Sequence, residues 1–105
     1  MTRTLTVSRA RVDPGVEREY IEAVGALARV AGERGRRLWL FRSPARPGWF
    51  LECSESGSAE AHRVVANLGS EEARLERRVR ELATYEDGAW ERWEEVRLEH
   101  AAAGH

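Results

Sequence analysis

The chain opens with a segment in which apolar and polar side chains alternate. Over residues 4–12, Leu5 and Val7 fall on one side and Thr6 on the other, which predicts a β-strand. From residue 16 to about residue 34 the period lengthens, and an apolar stripe opposite charged residues predicts an amphipathic helix. The stripe consists of Val16, Tyr20, Val24, Leu27, Ala28 and Ala31. Asp13 and Pro14 are suited to the start of this helix as N-cap and first-turn residue, and Gly35 to its end.

Two short strands are predicted next, over Arg37–Arg42 and residues 49–54, with a loop containing two prolines and a glycine between them. We expect Phe41 to lie opposite Phe50. This register projects Trp39, Phe41, Phe50 and Glu52 on one face, and Leu38, Leu40, Trp49, Leu51 and Cys53 on the other. Because both faces are then apolar, the hairpin needs two covers. Its own helices supply one, and we expect a second copy of the chain to supply the other.

The second half begins with a short predicted helix over residues 59–66, interrupted at residues 67–69. Ser70 is a suitable N-cap for a further helical run, with acidic residues in its first turn. Leu75, Val79 and Leu82 are expected to line the buried side of that run.

Residues 89–99 fit two interpretations. As a strand, Val96 and Leu98 would face inward together; as a helix, Trp90, Trp93 and Arg97 would share a face. We choose the strand, because the fold otherwise lacks its last one. The resulting order, β-α-β-β-α-β, predicts an α+β, ferredoxin-like fold with an antiparallel sheet.

Composition is consistent with one domain over residues 1–105, with an ordered core at about residues 3–99. Hydrophobic residues make up 42% of the chain and charged residues 33%, with a net charge of −1. All 17 basic residues are Arg, which suggests a bacterial genome rich in GC. Arg alternates with Glu throughout, so there is no basic surplus on one face of the kind that nucleic-acid binding requires.

The single cysteine, Cys53, has no partner within the chain, which fits a reducing compartment. No apolar run reaches the length of a membrane span, and no signal peptide is recognisable, so we expect a cytoplasmic protein that does not associate with membranes. Cys53, His62, His100 and His105 lack the spacing of a metal site, and we predict none.

Five short stretches carry a family resemblance: residues 12–14 (VDP), 40–43 (LFRS), 47–52 (PGWFLE), 58–62 (SAEAH) and 75–80 (LERRVR). Their order and spacing over residues 4–82 resemble the dimeric α/β-barrel superfamily, which includes antibiotic-biosynthesis and haem-degrading monooxygenases. The nearer likeness is to the monooxygenase-like domain of bacterial major-facilitator-type secretion effectors. The resemblance implies a homodimer packed sheet against sheet, with a pocket between sheet and helices in each subunit.

Within that frame, Glu52 would lie on the inter-subunit face beside Trp39, and would need an Arg partner such as Arg37 or an Arg of the other chain. Antibiotic-type members oxidise fused phenolic rings without metal or flavin, using Asn, Trp and Tyr side chains. The resemblance thus suggests Trp39 or Trp49 as a stacking wall, Asn67 as a further ligand contact and His62 as polar contact or base. Each has a structural alternative.

In those alternatives the Trp residues belong to the core or an interface, Asn67 beside Gly69 ends a helix, and His62 is a surface residue. Tyr20 is interpreted as a core residue, and Tyr85 lies in a loop.

Haem-degrading members carry an axial His on a helix and an Asn on the first strand. His62 lies on the corresponding segment, but the first strand has no Asn, which argues against haem. We therefore expect no cofactor.

The sequence thus predicts a monooxygenase-like protein that binds or oxidises a small planar aromatic compound. The alternative is a non-catalytic ligand-binding or protein-interaction domain of the same fold.

Overall fold

The computed structural model describes residues 3–56 and 71–98, which form a four-stranded antiparallel sheet covered on one face by helices. The elements are β1 (Thr4–Arg11), α1 (Glu17–Gly32), β2 (Arg37–Arg42), β3 (Trp49–Ser56), α2 (Glu71–Leu82) and β4 (Trp90–Glu94). The strands are ordered β2-β3-β1-β4, and each neighbouring pair is antiparallel. This confirms the ferredoxin-like α+β fold.

The first helix buries four of the six stripe residues that its periodicity predicted, and Val16 and Ala28 are half-buried. Its buried residues are Tyr20, Ala23, Val24, Leu27 and Ala31. A single 3₁₀ turn, Pro14–Val16, precedes it. Asp13 stands at the N-cap position of this turn, as predicted, but its side chain makes no capping hydrogen bond. Gly35 adopts φ 79° in the turn after the helix, as expected of a residue that ends one.

The β2–β3 register differs from the prediction by one residue. Arg42, and not Phe41, lies opposite Phe50, because the loop closes with the Ser43 N–H donating to the Trp49 carbonyl at 2.9 Å. A shift of one residue exchanges faces. Glu52 therefore lies with Phe50 on the helix-covered face, and its predicted place beside Trp39 on the other face is wrong.

The opposite face of the sheet, hereafter the open face, carries both apolar and charged residues. Its apolar residues are Leu5, Val7, Trp39, Phe41, Trp49, Leu51, Cys53 and Trp93, and its charged residues are Arg9, Arg11, Arg37, Glu55 and Glu91. Phe41 and Trp93 are 55% and 56% exposed. Both faces of the hairpin carry apolar residues, as predicted, although the members of each face have changed.

The strand interpretation of the last element is confirmed, but its extent is shorter than expected. β4 ends at Glu94, pairing with Thr4, and Glu95 makes one further backbone hydrogen bond to Arg3. Val96 and Leu98 follow the last paired residue and are 72% and 76% exposed, so their predicted inward orientation is wrong.

α2 packs Val79 in the core, with Leu75 and Leu82 half-buried against it. Glu72, in the first turn of this helix, is 1% exposed. The predicted helix over residues 59–66, which contains His62, lies outside the described residues. Asn67 and Ser70 lie outside them as well. In residues 3–56 and 71–98, no helix has the length and apolar character needed to cross a membrane.

Candidate functional site

Glu52 projects from β3 into the space between the sheet and the helices, where it meets two tyrosines. The Tyr20 hydroxyl, from α1, donates to Glu52 Oε2 at 2.5 Å, and the Tyr85 hydroxyl donates to the same oxygen at 2.7 Å. The Tyr20 ring packs on Phe50 with centroids 5.2 Å apart. The apolar stripe of α1 and the alternation of β3 thus bring a phenol and a carboxyl together at the edge of the core.

Tyr85 is positioned by the chain that leaves α2. The preceding residue, Thr84, forms a two-bond antiparallel bridge with Arg11, at 2.9 and 2.8 Å. The Tyr85 ring stacks on Trp90 of β4, with centroids 5.5 Å apart and planes at 22°. The Arg80 guanidinium lies 5.6 Å from the Trp90 ring centroid.

Charged side chains complete the cleft around Glu52. Arg36 Nη2 pairs with Glu76 Oε1 at 3.4 Å, and their side chains are only 9% and 21% exposed. Arg80 and Glu76, from consecutive turns of α2, line the cleft with Glu52. The cavity among these groups has a volume of about 30 Å³, enough for a water molecule.

The environment shifts the acidity of all three hydrogen-bonded groups. Burial raises the pKa of the Glu52 carboxyl, and nearby Glu76 adds to this, while the two tyrosine hydrogen bonds and Arg80 oppose it. Burial, followed by the negative charge of Glu52, raises the pKa of both Tyr20 and Tyr85 far above 10. The phenols therefore remain protonated donors, and the carboxyl is the member of the set that can exchange a proton nearer neutral pH.

This arrangement has the features of an acid–base site. A half-buried carboxyl whose orientation is fixed by two donors can take a proton from an acidic ligand and return it. Arg80 can offset negative charge that develops on the ligand. In the described part of the chain, no group of His, Cys, Asp and Glu could hold a metal ion.

The structure places Trp39 and Trp49 on the open face, away from Glu52. The Arg37 guanidinium lies 5.4 Å from the Trp39 ring centroid, and Arg46 lies 4.4 Å from that of Trp49. Trp39 lines an open groove of about 430 Å³ on that face. A ligand-binding role for these two residues stays a prediction, as do the roles of His62 and Asn67, which lie outside the described residues.

The sequence contained two signals that could have indicated the Tyr20–Glu52–Tyr85 site. Glu52 is the one charged residue in the run from Trp49 to Cys53, and Tyr20 is the one polar-tipped residue on the stripe of α1. A buried carboxyl requires partners, and a buried tyrosine hydroxyl requires an acceptor. The wrong register concealed their proximity, and the position of Tyr85 depends on the bridge between Thr84 and Arg11.

The chain matches no protein-family model and no curated protein. It is similar to solved structures over most of its length. One is a conserved protein of unknown function from Bacteroides thetaiotaomicron, described as a possible oxidoreductase. The two share 25% identity with a TM-score of 0.69, over 90% of this chain and 97% of that one.

Two further neighbours show the same fold. A protein from Chloroflexus aurantiacus, assigned provisionally to the antibiotic biosynthesis monooxygenases, is 20% identical with a TM-score of 0.68. A cofactor-independent oxygenase from Streptomyces nogalater is 17% identical with a TM-score of 0.68. Each comparison covers 90% of this chain and 92% of the neighbour. The chain therefore has the fold of the antibiotic-biosynthesis-monooxygenase-like proteins, as the sequence resemblance predicted, and the nearer likeness to secretion-effector domains stays a prediction.

Proposed function

We propose that this protein is a monooxygenase-like enzyme that acts on a small planar phenolic compound in the cleft around Glu52. The observation that carries the proposal is the convergence of Tyr20 and Tyr85 on one carboxylate oxygen in a half-buried cleft beside Arg80. The fold shared with a cofactor-independent oxygenase supports the same class of reaction.

In this proposal Glu52 is the base. Both tyrosines bind Oε2, so we assign proton uptake to Oε1. The raised pKa of the carboxyl brings it closer to that of an acidic ring C–H or phenolic O–H, which favours transfer. Arg80 lies where it can stabilise the resulting substrate anion.

The proposed oxidation needs no external reductant. In an anthrone-like substrate, the ring CH₂ loses two hydrogens and gains one atom of O₂ as a carbonyl, and the second oxygen atom leaves as water. The substrate supplies all four electrons that reduce O₂, after the deprotonated ring carbon transfers the first. The protein is required to bind the ring, take the proton and stabilise the anion.

Oxygen uptake with a panel of anthrone-like phenols tests the proposal, with Glu52→Gln as the test variant. Glu55→Gln is the matched control, because Glu55 lies on the same strand and faces the other side of the sheet. We expect Glu52→Gln to lower kcat about 10²–10⁴-fold and the control to retain activity. Equal rates in Glu52→Gln and the native protein would exclude Glu52 as the base.

The alternative function is a non-catalytic ligand-binding or protein-interaction domain. The small size of the cleft, about 30 Å³, favours the protein-interaction role, because a site of this volume excludes a ring compound unless a side chain moves. A binder would show saturable binding in calorimetry without oxygen consumption.

The absence of a cofactor is part of the proposal. All three histidines lie outside the described residues, so hemin titration provides the test. A saturable Soret band that is lost in His62→Ala would replace the cofactor-independent mechanism with a haem-dependent one.

We also propose that the protein is a homodimer in which two open faces pack together. The exposed Trp93 and Phe41 rings and the half-buried Trp39 support this, since large apolar side chains grouped on one sheet face are costly to leave in water.

A further inference from the structure

The cleft around Glu52 is too small for the ligand class proposed above, so a lining side chain must move on binding. Its volume is about 30 Å³, whereas small-molecule sites measure roughly 300 Å³ or more. The side chain that moves should be the one with the weakest contacts among those that line the cleft.

Most of the lining is fixed by strong contacts. Tyr85 is hydrogen-bonded to Glu52, Arg36 is ion-paired with Glu76, and Leu27 and Val79 belong to the core. Displacing any of these would break a buried polar contact or open the core.

Trp90 differs from these residues in exposure and in the type of contact it makes. It is 47% exposed, and it lies on β4, which is the outermost strand of the sheet and pairs with β1 alone. Its ring contacts are the stack on Tyr85 and the approach of Arg80, at 5.5 and 5.6 Å. Contacts of these kinds are individually weak, and a planar aromatic ligand can replace both.

We propose that Trp90 occupies the place of the ligand, and that an indole-sized planar aromatic with an acidic hydroxyl displaces it to stack on Tyr85 beside Arg80. This inference rests on the proposed function and adds to it the side chain that must move and the place where the ring stacks. Displacement of the indole ring uncovers a slot of its own shape, which favours a flat system of two or three fused rings. Its hydroxyl would point toward Glu52.

The charges around the slot determine which flat compounds are accepted. Arg80 contacts the indole face and acts on Glu52 and Tyr85 electrostatically. An anionic or readily ionised hydroxyl gains from Arg80, whereas a cationic ring does not. Naphthols should therefore bind better than naphthylammonium ions of the same shape.

Calorimetric titration with 2-naphthol tests the displacement. In Trp90→Ala the slot is already open, so we expect about tenfold tighter binding than in the native protein, equivalent to about 1.4 kcal/mol. Trp93→Ala is the matched control, because Trp93 lies on the same strand, is 56% exposed and faces the open side. Its affinity should not change.

Unchanged or weaker binding in Trp90→Ala would overturn the inference, since it would make Trp90 a bystander or a fixed wall. If Trp90→Ala does not fold, Trp90→Val keeps β-propensity on the edge strand and answers the same question. Tighter binding in either variant supports displacement.

Fluorine NMR of protein labelled with 5-fluorotryptophan gives a readout that does not depend on affinity. On addition of 2-naphthol, the Trp90 resonance should move toward its solvent-exposed position while that of Trp93 stays in place. A shift of the Trp90 resonance in the opposite direction would overturn displacement.

The two proposals fail differently. If the native protein binds 2-naphthol but Trp90→Ala gains nothing, displacement alone is wrong. If neither binds it, the aromatic site is wrong and the displacement proposal falls with it.

Discussion

Tyr20 and Tyr85 are 65 positions apart in the chain, yet their hydroxyls donate to the same carboxylate oxygen, Oε2 of Glu52. They are also the only tyrosines in the chain. Any spectroscopic signal from tyrosine therefore reports on this cluster alone.

We expect the near-ultraviolet absorbance of tyrosinate to stay absent in the folded protein as the pH rises past 10. Burial and the charge of Glu52 raise the pKa of both phenols above the usual value of 10.0. The folded state thus holds protons that the unfolded chain releases, and the free energy of unfolding falls as the pH rises above about 10. Absorbance should appear together with the loss of circular dichroism.

Tyr20→Phe should halve the rise in tyrosinate absorbance. The remaining rise should still occur at the same pH as the loss of circular dichroism. Tyrosinate absorbance at about pH 10 with circular dichroism unchanged would show that the phenols are not held as described.

Replacing Glu52 by Gln should stabilise the fold at neutral pH. Burial raises the pKa of the Glu52 carboxyl in the folded protein above 4.5. The stability that comes from holding this proton is therefore fully present below pH 4.5 and is lost as the pH rises through the pKa of the folded state. Gln stays neutral and keeps a carbonyl acceptor for the tyrosines. We expect a gain on the order of 1 kcal/mol at pH 7, or roughly 4–8 °C in Tm, that shrinks toward pH 4.

Thermal unfolding of Glu52→Gln and of Glu55→Gln across this pH range provides the measurement. A Tm for Glu52→Gln that is lower than that of the native protein, by the same amount at pH 4 and pH 7, would contradict the predicted stabilisation.

The ion pair of Arg36 and Glu76 should stabilise the fold more than its N–O distance of 3.4 Å suggests. Arg36 is 7% exposed, and its Nε and Nη1 make no hydrogen bond within residues 3–56 and 71–98, so its charge depends on Glu76. Glu76→Gln leaves a buried charge without a counterion and should cost about 3 kcal/mol in urea unfolding.

Glu71→Gln is the control for that experiment, because it removes the exposed pair with Arg74 on the same helix. Such surface pairs contribute at most about 1 kcal/mol. Equal effects of the two substitutions would mean that Arg36 is hydrated.

A charge on the open face should separate the proposed dimer. We expect the native protein to scatter light with about twice the mass of one 11.9 kDa chain, and Phe41→Glu to scatter as a monomer. Ile21→Glu is the control, since Ile21 is an exposed apolar residue of the helical layer. A native protein with the mass of one chain would exclude the dimer.

Periodicity predicted the elements of this fold well, because it depends on neighbours in the sequence. The stripe of α1 and the alternation of β1 arise from spacing within one segment, and both are observed. The β2–β3 register depends on how the loop from Ser43 to Trp49 closes, which spacing does not define. That single residue of register decided the face on which Glu52 lies.

The cluster required more than local information. Glu52 accepts a hydrogen bond from Tyr20 because α1 packs on the sheet. It accepts one from Tyr85 because the bridge between Thr84 and Arg11 positions that residue. The sequence predicted Tyr20 as core and Tyr85 as loop. Both placements are confirmed, but neither indicated that the two residues share an acceptor.

The turn before β4 imposes a constraint on how this chain can change by insertion and deletion. Thr84 is fixed to β1. The next strand begins six residues later at Trp90, and Trp90 and Trp93 project from its opposite faces. Adding or removing one residue between Thr84 and Trp90 would exchange the two faces and send each indole to the wrong side. Natural variants should therefore keep the length of this turn, even where they differ at its exposed residues Glu86 and Asp87.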